Sequence, residues 1–488
     1  MKNLANILTG ITTQKVIGNS NISIDSIIFD SRKATKNTVF VAQKGVSFDG
    51  HIFIEKAIQL GATVIVCEDL PTDTKEEIAY IKVTDSNVAL AEMASNFYGN
   101  PSSKMQLIGV TGTNGKTTIA SLLYQLFKKA GYKTGLLSTV KVMVDDVEFK
   151  ATHTTPDSIR INKHLANMVA AGVTHCFMEV SSHGIDQKRT AGLDFNGGVF
   201  TNLTHDHLDY HNTFSEYRDV KKIFFDNLPK SAFALVNIDD KNGEFMLQNT
   251  KATHKTYALK TLADYKAKIL EKSFSGTLIS VDGMEVWTKL IGTFNIYNLL
   301  AIVGTANLLG LDKLEILRIV SELESVSGRF QYVKSNNDIT AIIDYAHTPD
   351  ALKNVLETIN DIKNSNQNLI GITGCGGDRD KTKRPKMAHI ISELSNQAIL
   401  TSDNPRTEDA QVILEEMETG IISENQHKTL TILDRKQAIK TACKLAQSGD
   451  IILIAGKGHE TYQEVNGVRH HFDDLEEVTQ FFNQLNHN

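Results

Sequence analysis

The sequence predicts an α/β protein of three domains built on mostly parallel sheets, and three observations lead there. The chain has 488 residues, and at about 150 residues per domain that implies roughly three cores. The apolar run "MQLIGV" passes straight into the glycine loop "TGTNGKTT" and then the amphipathic "IASLLYQLFKKAG". That order of strand, loop and helix makes a parallel sheet covered by helices. From about residue 332, strand and helix patterns alternate regularly, as in an open doubly wound sheet.

Composition narrows the class. Charged residues make up 22% and apolar residues 41% of the chain, which excludes a disordered or fibrous protein. The formal net charge of -6 leaves no basic footprint, so nucleic acid is not the expected partner, although local basic patches would suit phosphorylated small molecules. The start "MKNLANILTGITTQ" lacks the apolar core of a signal peptide, and no run reaches the roughly 18 apolar residues of a membrane span. A cytoplasmic protein without a membrane span is expected. Cys67, Cys176, Cys375 and Cys443 are far apart and form no CxxC pair, so they read as buried thiols, not a disulfide framework or a zinc site.

The elements fall into three blocks. Residues 1–100 carry short β-rich runs ("SIIFDSR", "TVFVAQKG", "ATVIVCED", "AYIKVTD") around the helical "HIFIEKAIQLGA", and close on the turn-rich "FYGNPSSK": a small α/β domain. Residues 101–331 form the central domain, with further strands at "THCFMEV", "GGVFTNL" and "AFALVNI". Near 250–290 the alternation in "GTLISVDGMEVWTKL" predicts an antiparallel edge. Residues 332–488 read as strands "ITAIIDYA", "NLIGITG", "QAILTSD", "LTIL" and "DIILIAG", with helices at 349–362, 385–395, 409–421, 435–447 and 473–485. In such a sheet ligands sit at the carboxyl ends of the strands. "GCGGDRD", "SDNPR" and "AGKGHE" each follow a strand end, so one crevice could hold all three.

Several stretches carry chemistry. Gly112, Gly115, Lys116, Thr117 and Thr118 form a phosphate loop, with Lys116 reaching the β and γ phosphates and Thr117 holding Mg²⁺. The pattern GxxxxGK[ST] would place glycine at 110, where this chain has Val110. Glu179 ends a strand, where its carboxylate either holds a metal or serves as a salt-bridged strand end. "NLTHDHLDYH" suggests zinc at first sight, but beside a phosphate loop Mg²⁺ is favoured, with His207 as a nitrogen ligand. In "DNPR", Asn404 and Pro405 build a turn and Arg406 is available to grip an anion.

In chain order "GVTGTNGKTT", "MEVSSHGIDQKR", "TNLTHDHLDYH", "GTFNIYN", "GRF", "DYAHTPDAL", "GGDRDKTKRP", "DNPR" and "AGKGHETYQ" resemble the motifs of the Mur ligases of peptidoglycan synthesis. These ligases use the shorter TGTNGKT loop, which accounts for Val110. The resemblance implies an ATP-dependent ligase: a substrate carboxylate takes the γ-phosphoryl group, and an amine then displaces phosphate from the acyl phosphate. Its third-block motifs imply the member that adds meso-diaminopimelate to the D-Glu of UDP-N-acetylmuramoyl-L-alanyl-D-glutamate. The alternatives are L-lysine as the added residue, or another ligase of the Mur and folylpolyglutamate synthase superfamily, against which "DNPR" with "GKGHE" speaks. A phosphate-loop kinase or a nucleotide-binding regulator would explain 109–130 but leave "DHLDYH", "DYAHTP" and the third block without a role.

By the same resemblance each block has its ligand. The first, 1–100, binds the UDP-muramoyl substrate through Ser31 and Val46, Ser47 and Phe48, joined by Thr154, Thr155, Ser181, Gln187 and Arg189 from the central block. ATP is held by Gly112, Thr113, Asn114, Gly115, Lys116, Thr117 and Thr118 together with Asn295, Arg329, Asp344 and His347. Thr117, Glu179, His207 and Lys221, the last as a carbamate, serve Mg²⁺; the spacing from Tyr217 favours Lys221 over its neighbour Lys222. Lys116, Lys221, Glu179 and His207 form the catalytic set. The amino acid goes to Arg379, Asp403, Asn404, Pro405, Arg406, Gly456 and Glu460, with Arg406 reading the distal carboxylate of diaminopimelate and Glu460 its distal ammonium. A monomer is expected.

Overall fold

The computed structural model describes residues 1–45, 48–204, 206, 210–211 and 213–485. The first unit contains β1 (Lys2–Asn3), β2 (Thr13–Ile17), β3 (Ser23–Ile24), β4 (Ser26–Ile28), β5 (Thr38–Val41), β6 (Ala62–Cys67) and β7 (Ala79–Val83). Its five-stranded sheet has the order β2-β7-β6-β5-β4, antiparallel only at β2.

The central unit is one long sheet. Its strands are β8 (Gln106–Thr111), β9 (Thr134–Leu137), β10 (Lys141–Val144), β11 (Val147–Lys150), β12 (His175–Glu179), β13 (Gly197–Phe200), β14 (Phe233–Asn237), β15 (Thr253–Ala258), β16 (Tyr265–Ser273), β17 (Gly276–Val281) and β18 (Met284–Thr288). The order is β11-β10-β9-β12-β8-β13-β14-β15-β16-β17-β18. The strands from β9 through β16 in that order are parallel, and the two ends are antiparallel hairpins. The expected antiparallel edge at "GTLISVDGMEVWTKL" is the β17–β18 hairpin. β8, third in from neither edge, is apolar on both faces because helices cover both: Ile108 and Val110 join one core with Leu122 and Leu299, and Leu107 joins another with Met178 and Phe225.

The third unit holds β19 (Gln331–Lys334), β20 (Thr340–Asp344), β21 (Leu369–Thr373), β22 (Gln397–Leu400), β23 (Thr429–Thr431) and β24 (Ile451–Ala455), in the order β19-β20-β24-β21-β22-β23. Only β19 is antiparallel. "IILIA" is buried throughout, since Leu453 faces Leu352 and Met387 on one side while Ile452 and Ile454 face Ile439 and Phe481 on the other. The helix expected at 409–421 spans Ala410–Glu418. Gly420 follows it, where a side chain would meet the carbonyl of Pro385 at 1.9 Å.

A hairpin beside the third sheet is among the elements that the apolar patterns leave out. β25 (Tyr462–Val465) and β26 (Val468–His471) form a hairpin. Its turn is Asn466–Gly467, at φ +49° and +77°, the dipeptide that signals a two-residue hairpin turn with both φ angles positive. That signal was present in the sequence. The four cysteines are buried and free. Among the described residues no helix is long and apolar enough to cross a membrane.

Candidate active site

The phosphate loop lies between the end of β8 and the helix Lys116–Lys129. Gly112 takes φ +144°, and a Cβ there would sit 1.9 Å from Thr201 Oγ1; at Gly115, φ +89°, it would sit 2.4 Å from Asn298 Oδ1. Only glycine fits both. Asn202 fixes the loop from the side: its carbonyl accepts from Thr113 N at 2.8 Å and its Oδ1 from Asn114 N at 3.0 Å. Lys116 Nζ folds back onto Gly112 O at 2.9 Å and Thr113 O at 2.7 Å. Burial pushes its pKa below the usual lysine range.

Glu179 ends β12 beside this loop, fully buried. Its carboxylate accepts from Thr139 N at 2.7 Å, Thr117 Oγ1 at 3.0 Å and Thr139 Oγ1 at 3.2 Å. Lys221 projects from the helix Phe214–Asp226 with its side chain buried, donating to Gly112 O at 3.0 Å above the Tyr217 ring. Burial, and after it the like charge of Lys116, drives the Lys221 pKa far down. Lys222 turns away to Asp226 at 2.5 Å. The helical register thus turns the two lysines to different partners. His207, and Val46 and Ser47 in the first unit, lie outside the described residues. Among the described residues no three His, Cys, Asp or Glu side chains cluster as a metal site.

Residues at the end of the central unit and in the third unit reach the loop. Arg329 Nη2 donates to Thr117 Oγ1 at 3.2 Å, and its guanidinium lies 4.4 Å over the Tyr345 ring. Asn114 Nδ2 donates to Asp350 Oδ2 at 3.3 Å. Asp344 accepts backbone N–H groups of Phe330 and Ala346 at 2.6 and 2.8 Å, and burial raises its pKa. His347, held by the Tyr345 carbonyl at 2.9 Å, is lowered to about 4 by burial and then by Lys383. Asn295 bonds Ile291 O and Asn298 at the base of the same cleft.

Thr154, Thr155, Ser181, Gln187 and Arg189 form one network on the other side. Thr139 Oγ1 donates to Thr154 at 3.0 Å, Thr155 bridges Ser181 N and Glu179 O at 2.9 Å each, and Arg189 reaches Thr155 O at 2.6 Å and Gln187 Oε1 at 2.6 Å. Ser31 is buried in a turn capped by Asp30, and Phe48 is 74% exposed. Neither lines the cleft that the others surround.

At the third sheet's carboxyl edge Arg406 takes φ +52°. The hairpin holds it there: Arg406 N donates to Glu464 O at 3.0 Å, Asn466 N donates to Arg406 O at 2.6 Å, and Nη1 lies on Gly377 O at 2.7 Å. Arg379 is exposed, and its Nη1 donates to the Asp378 carbonyl at 3.1 Å. The structure alters one expectation. Asn404 does more than shape a turn: its Oδ1 accepts from Lys457 Nζ at 3.0 Å and Glu464 N at 2.9 Å, while Nδ2 donates to Glu460 at 2.7 Å. Pro405 packs its carbonyl where a Cβ on Gly377 would lie, and Gly456 leaves room for the Asp403 carboxylate. Burial pushes Asp403 up, but Lys457 and Arg435 hold it below the usual range, whereas burial and Asp403 raise Glu460. Lys457, Thr139 and Asp350 went unremarked in the sequence; for Lys457 the signal was its place inside "GKGHE".

Lys116, Glu179, Lys221, Arg329, Arg406 and Glu460 all line one cavity of about 1450 Å³. A phosphate loop and a basic pocket at a sheet's carboxyl edge, facing a shared cleft, define a nucleotide-binding α/β protein of ligase type. Family profiles match three stretches: "Mur ligase family, catalytic domain" at 23–98, "Mur ligase middle domain" at 110–306 and "Mur ligase, glutamate ligase domain" at 328–458. The chain belongs to the Mur ligase family. It is 57% identical over 460 residues to the UDP-N-acetylmuramoyl-L-alanyl-D-glutamate–2,6-diaminopimelate ligase of Cytophaga hutchinsonii, covering 94% of each chain. It is 52% identical over 479 residues to the ligase of the same name from Phocaeicola vulgatus, covering 98% and 99%. A solved structure under that name superposes over all of both chains with a TM-score of 0.71 and 32% identity.

Proposed function

We propose that the chain is the ATP-dependent ligase that joins meso-diaminopimelate to the D-Glu γ-carboxylate of UDP-N-acetylmuramoyl-L-alanyl-D-glutamate, releasing ADP and phosphate. One observation carries this reading: the phosphate loop and the Arg406–Glu460 pocket face each other across a single cavity. A carboxylate is a poor acyl donor because oxide would have to leave. Taking the γ-phosphoryl group gives it phosphate as leaving group, and the amine nitrogen of the amino acid then forms the amide as the acyl carbon–oxygen bond breaks.

Lys116 and the loop N–H groups hold the phosphates, and Arg329 brings positive charge to Thr117 from the end of the central unit. Asn295, Asp344 and His347 surround the rest of ATP. Thr154, Thr155, Ser181, Gln187 and Arg189 orient the muramoyl dipeptide, while Ser31, Val46, Ser47 and Phe48 meet its uridine end. The units 1–100, 101–331 and 332–488 thus bind the UDP end, ATP and the amino acid. The adjoining Glu179 and Thr117 oxygens suit a hard cation, so Thr117, Glu179, His207 and a carbamylated Lys221 would hold Mg²⁺. Bound there, Mg²⁺ neutralises charge between two anions. A neutral Lys221 amine is the form that carbamylation requires. The enzyme acts as a cytoplasmic monomer.

Phosphate release tests this reading. It should require ATP, the UDP-muramoyl dipeptide and diaminopimelate together; release on ATP alone, unchanged by the other two, would replace the ligase with a phosphatase or kinase.

A further inference from the structure

Lys457 lies beneath the amino-acid pocket, not in it. Its amine-bearing side chain is fully buried. Burying an ammonium costs several kcal/mol unless it is paired, and the partners here are specific: Asn404 Oδ1 at 3.0 Å and Glu460 Oε2 at 3.4 Å, with the Tyr462 ring 5.6 Å away. Lys457 Nζ and Glu464 N both donate to Asn404 Oδ1. The amide therefore has a single orientation, and its Nδ2 must point to Glu460, which it meets at 2.7 Å. Asp403 sits on the other side, bonded to Asn404 N at 2.7 Å. Asp403 and Glu460 thus share the buried Lys457, while the other buried cation beside Asp403, Arg435, is paired with Asp474.

We propose that Lys457 is a positioning residue that sets amino-acid specificity by orienting Glu460 through Asn404 and offsetting one of the two carboxylates. With Lys457 present, one net negative charge is left for one distal ammonium, and Arg406 stays available for a carboxylate. Without it, the pocket gains a negative charge, which disfavours an amino acid with a second carboxylate and favours one ending in an ammonium alone. This inference rests on the ligase reading above.

The test is steady-state kinetics of the full-length enzyme and Lys457→Met, with diaminopimelate and L-lysine as amino acids. KM for diaminopimelate should rise about tenfold or more, with kcat and KM for ATP within about threefold, and the preference for diaminopimelate over lysine should fall at least about tenfold. A merely structural role would move ATP and amino acid together. In a Glu460→Gln background, Lys457→Met should cost less than in the wild type, because the orientation of residue 460 no longer matters and only the uncompensated Asp403 charge remains. Unchanged specificity in Lys457→Met, or full additivity with Glu460→Gln, would overturn the proposal. If Lys457→Met does not fold, Lys457→Gln, which keeps a donor but no charge, is read by the same criteria. Wild-type enzyme that does not use diaminopimelate would instead contradict the ligase reading.

Discussion

Lys116 and Lys221 donate to the same acceptor, the carbonyl oxygen of Gly112, at 2.9 and 3.0 Å. Two amines converging on one oxygen repel when both are charged, and burial, then Lys116, lowers the pKa of the deeper one, Lys221. Lys221→Ala should cut kcat at least about 100-fold, the scale of losing an electrostatic group at phosphoryl transfer. Stripping dissolved carbon dioxide and bicarbonate from the buffer should lower wild-type activity, and adding bicarbonate should restore it. Full activity without bicarbonate would contradict carbamylation.

Arg329, at the end of the central unit and stacked on Tyr345 of the third, bonds the phosphate loop through Thr117. Arg329→Ala should raise KM for ATP about tenfold and lower kcat, while shifting the melting temperature by no more than about 4 °C. Isothermal titration with a non-hydrolysable ATP analogue checks the binding part. Unchanged nucleotide affinity would remove Arg329 from the ATP site.

Arg406 combines function with backbone strain at φ +52°. Arg406→Ala and Arg406→Gly should both raise KM for diaminopimelate about tenfold or more with KM for ATP unchanged. They should differ in stability: the glycine variant should be the more stable by about 1 kcal/mol, since only glycine adopts that φ without cost. Chemical denaturation measures the gap.

His175 gives the fold a pH dependence away from the site. It packs between Phe127 and Tyr132, and burial lowers its pKa to about 4. The native imidazole stays neutral while the unfolded one takes a proton near 6.5. Its contribution is therefore complete above about pH 6.5 and is lost as pH falls toward 4, at about 1.4 kcal/mol per pKa unit. His175→Phe should flatten the melting temperature over that window, as read by thermal melts from pH 7 to 4.

Much of this was legible in the sequence because it rests on local patterns. The strand, glycine loop and helix at 106–129 and the alternating units of the third sheet depend on apolar periodicity, whereas Lys221 stood out only through the family resemblance. What escaped depended on long-range geometry. Nothing near Lys457 announces that its amine is buried against Asn404, 53 positions earlier. The β25–β26 hairpin was different: its Asn-Gly turn is a local signal, but its strands are short and largely exposed and carry no apolar alternation. Its pairing with Arg406 turns "DNPR" from a loop into a braced edge.

The most direct test of the central claim is kcat/KM for meso-diaminopimelate, L-lysine and L-ornithine, measured in parallel by phosphate release with saturating ATP and UDP-muramoyl dipeptide. The Arg406–Glu460 pocket predicts a preference for diaminopimelate of at least about 100-fold over either competitor. Equal rates with all three, or a preference for lysine, would contradict it.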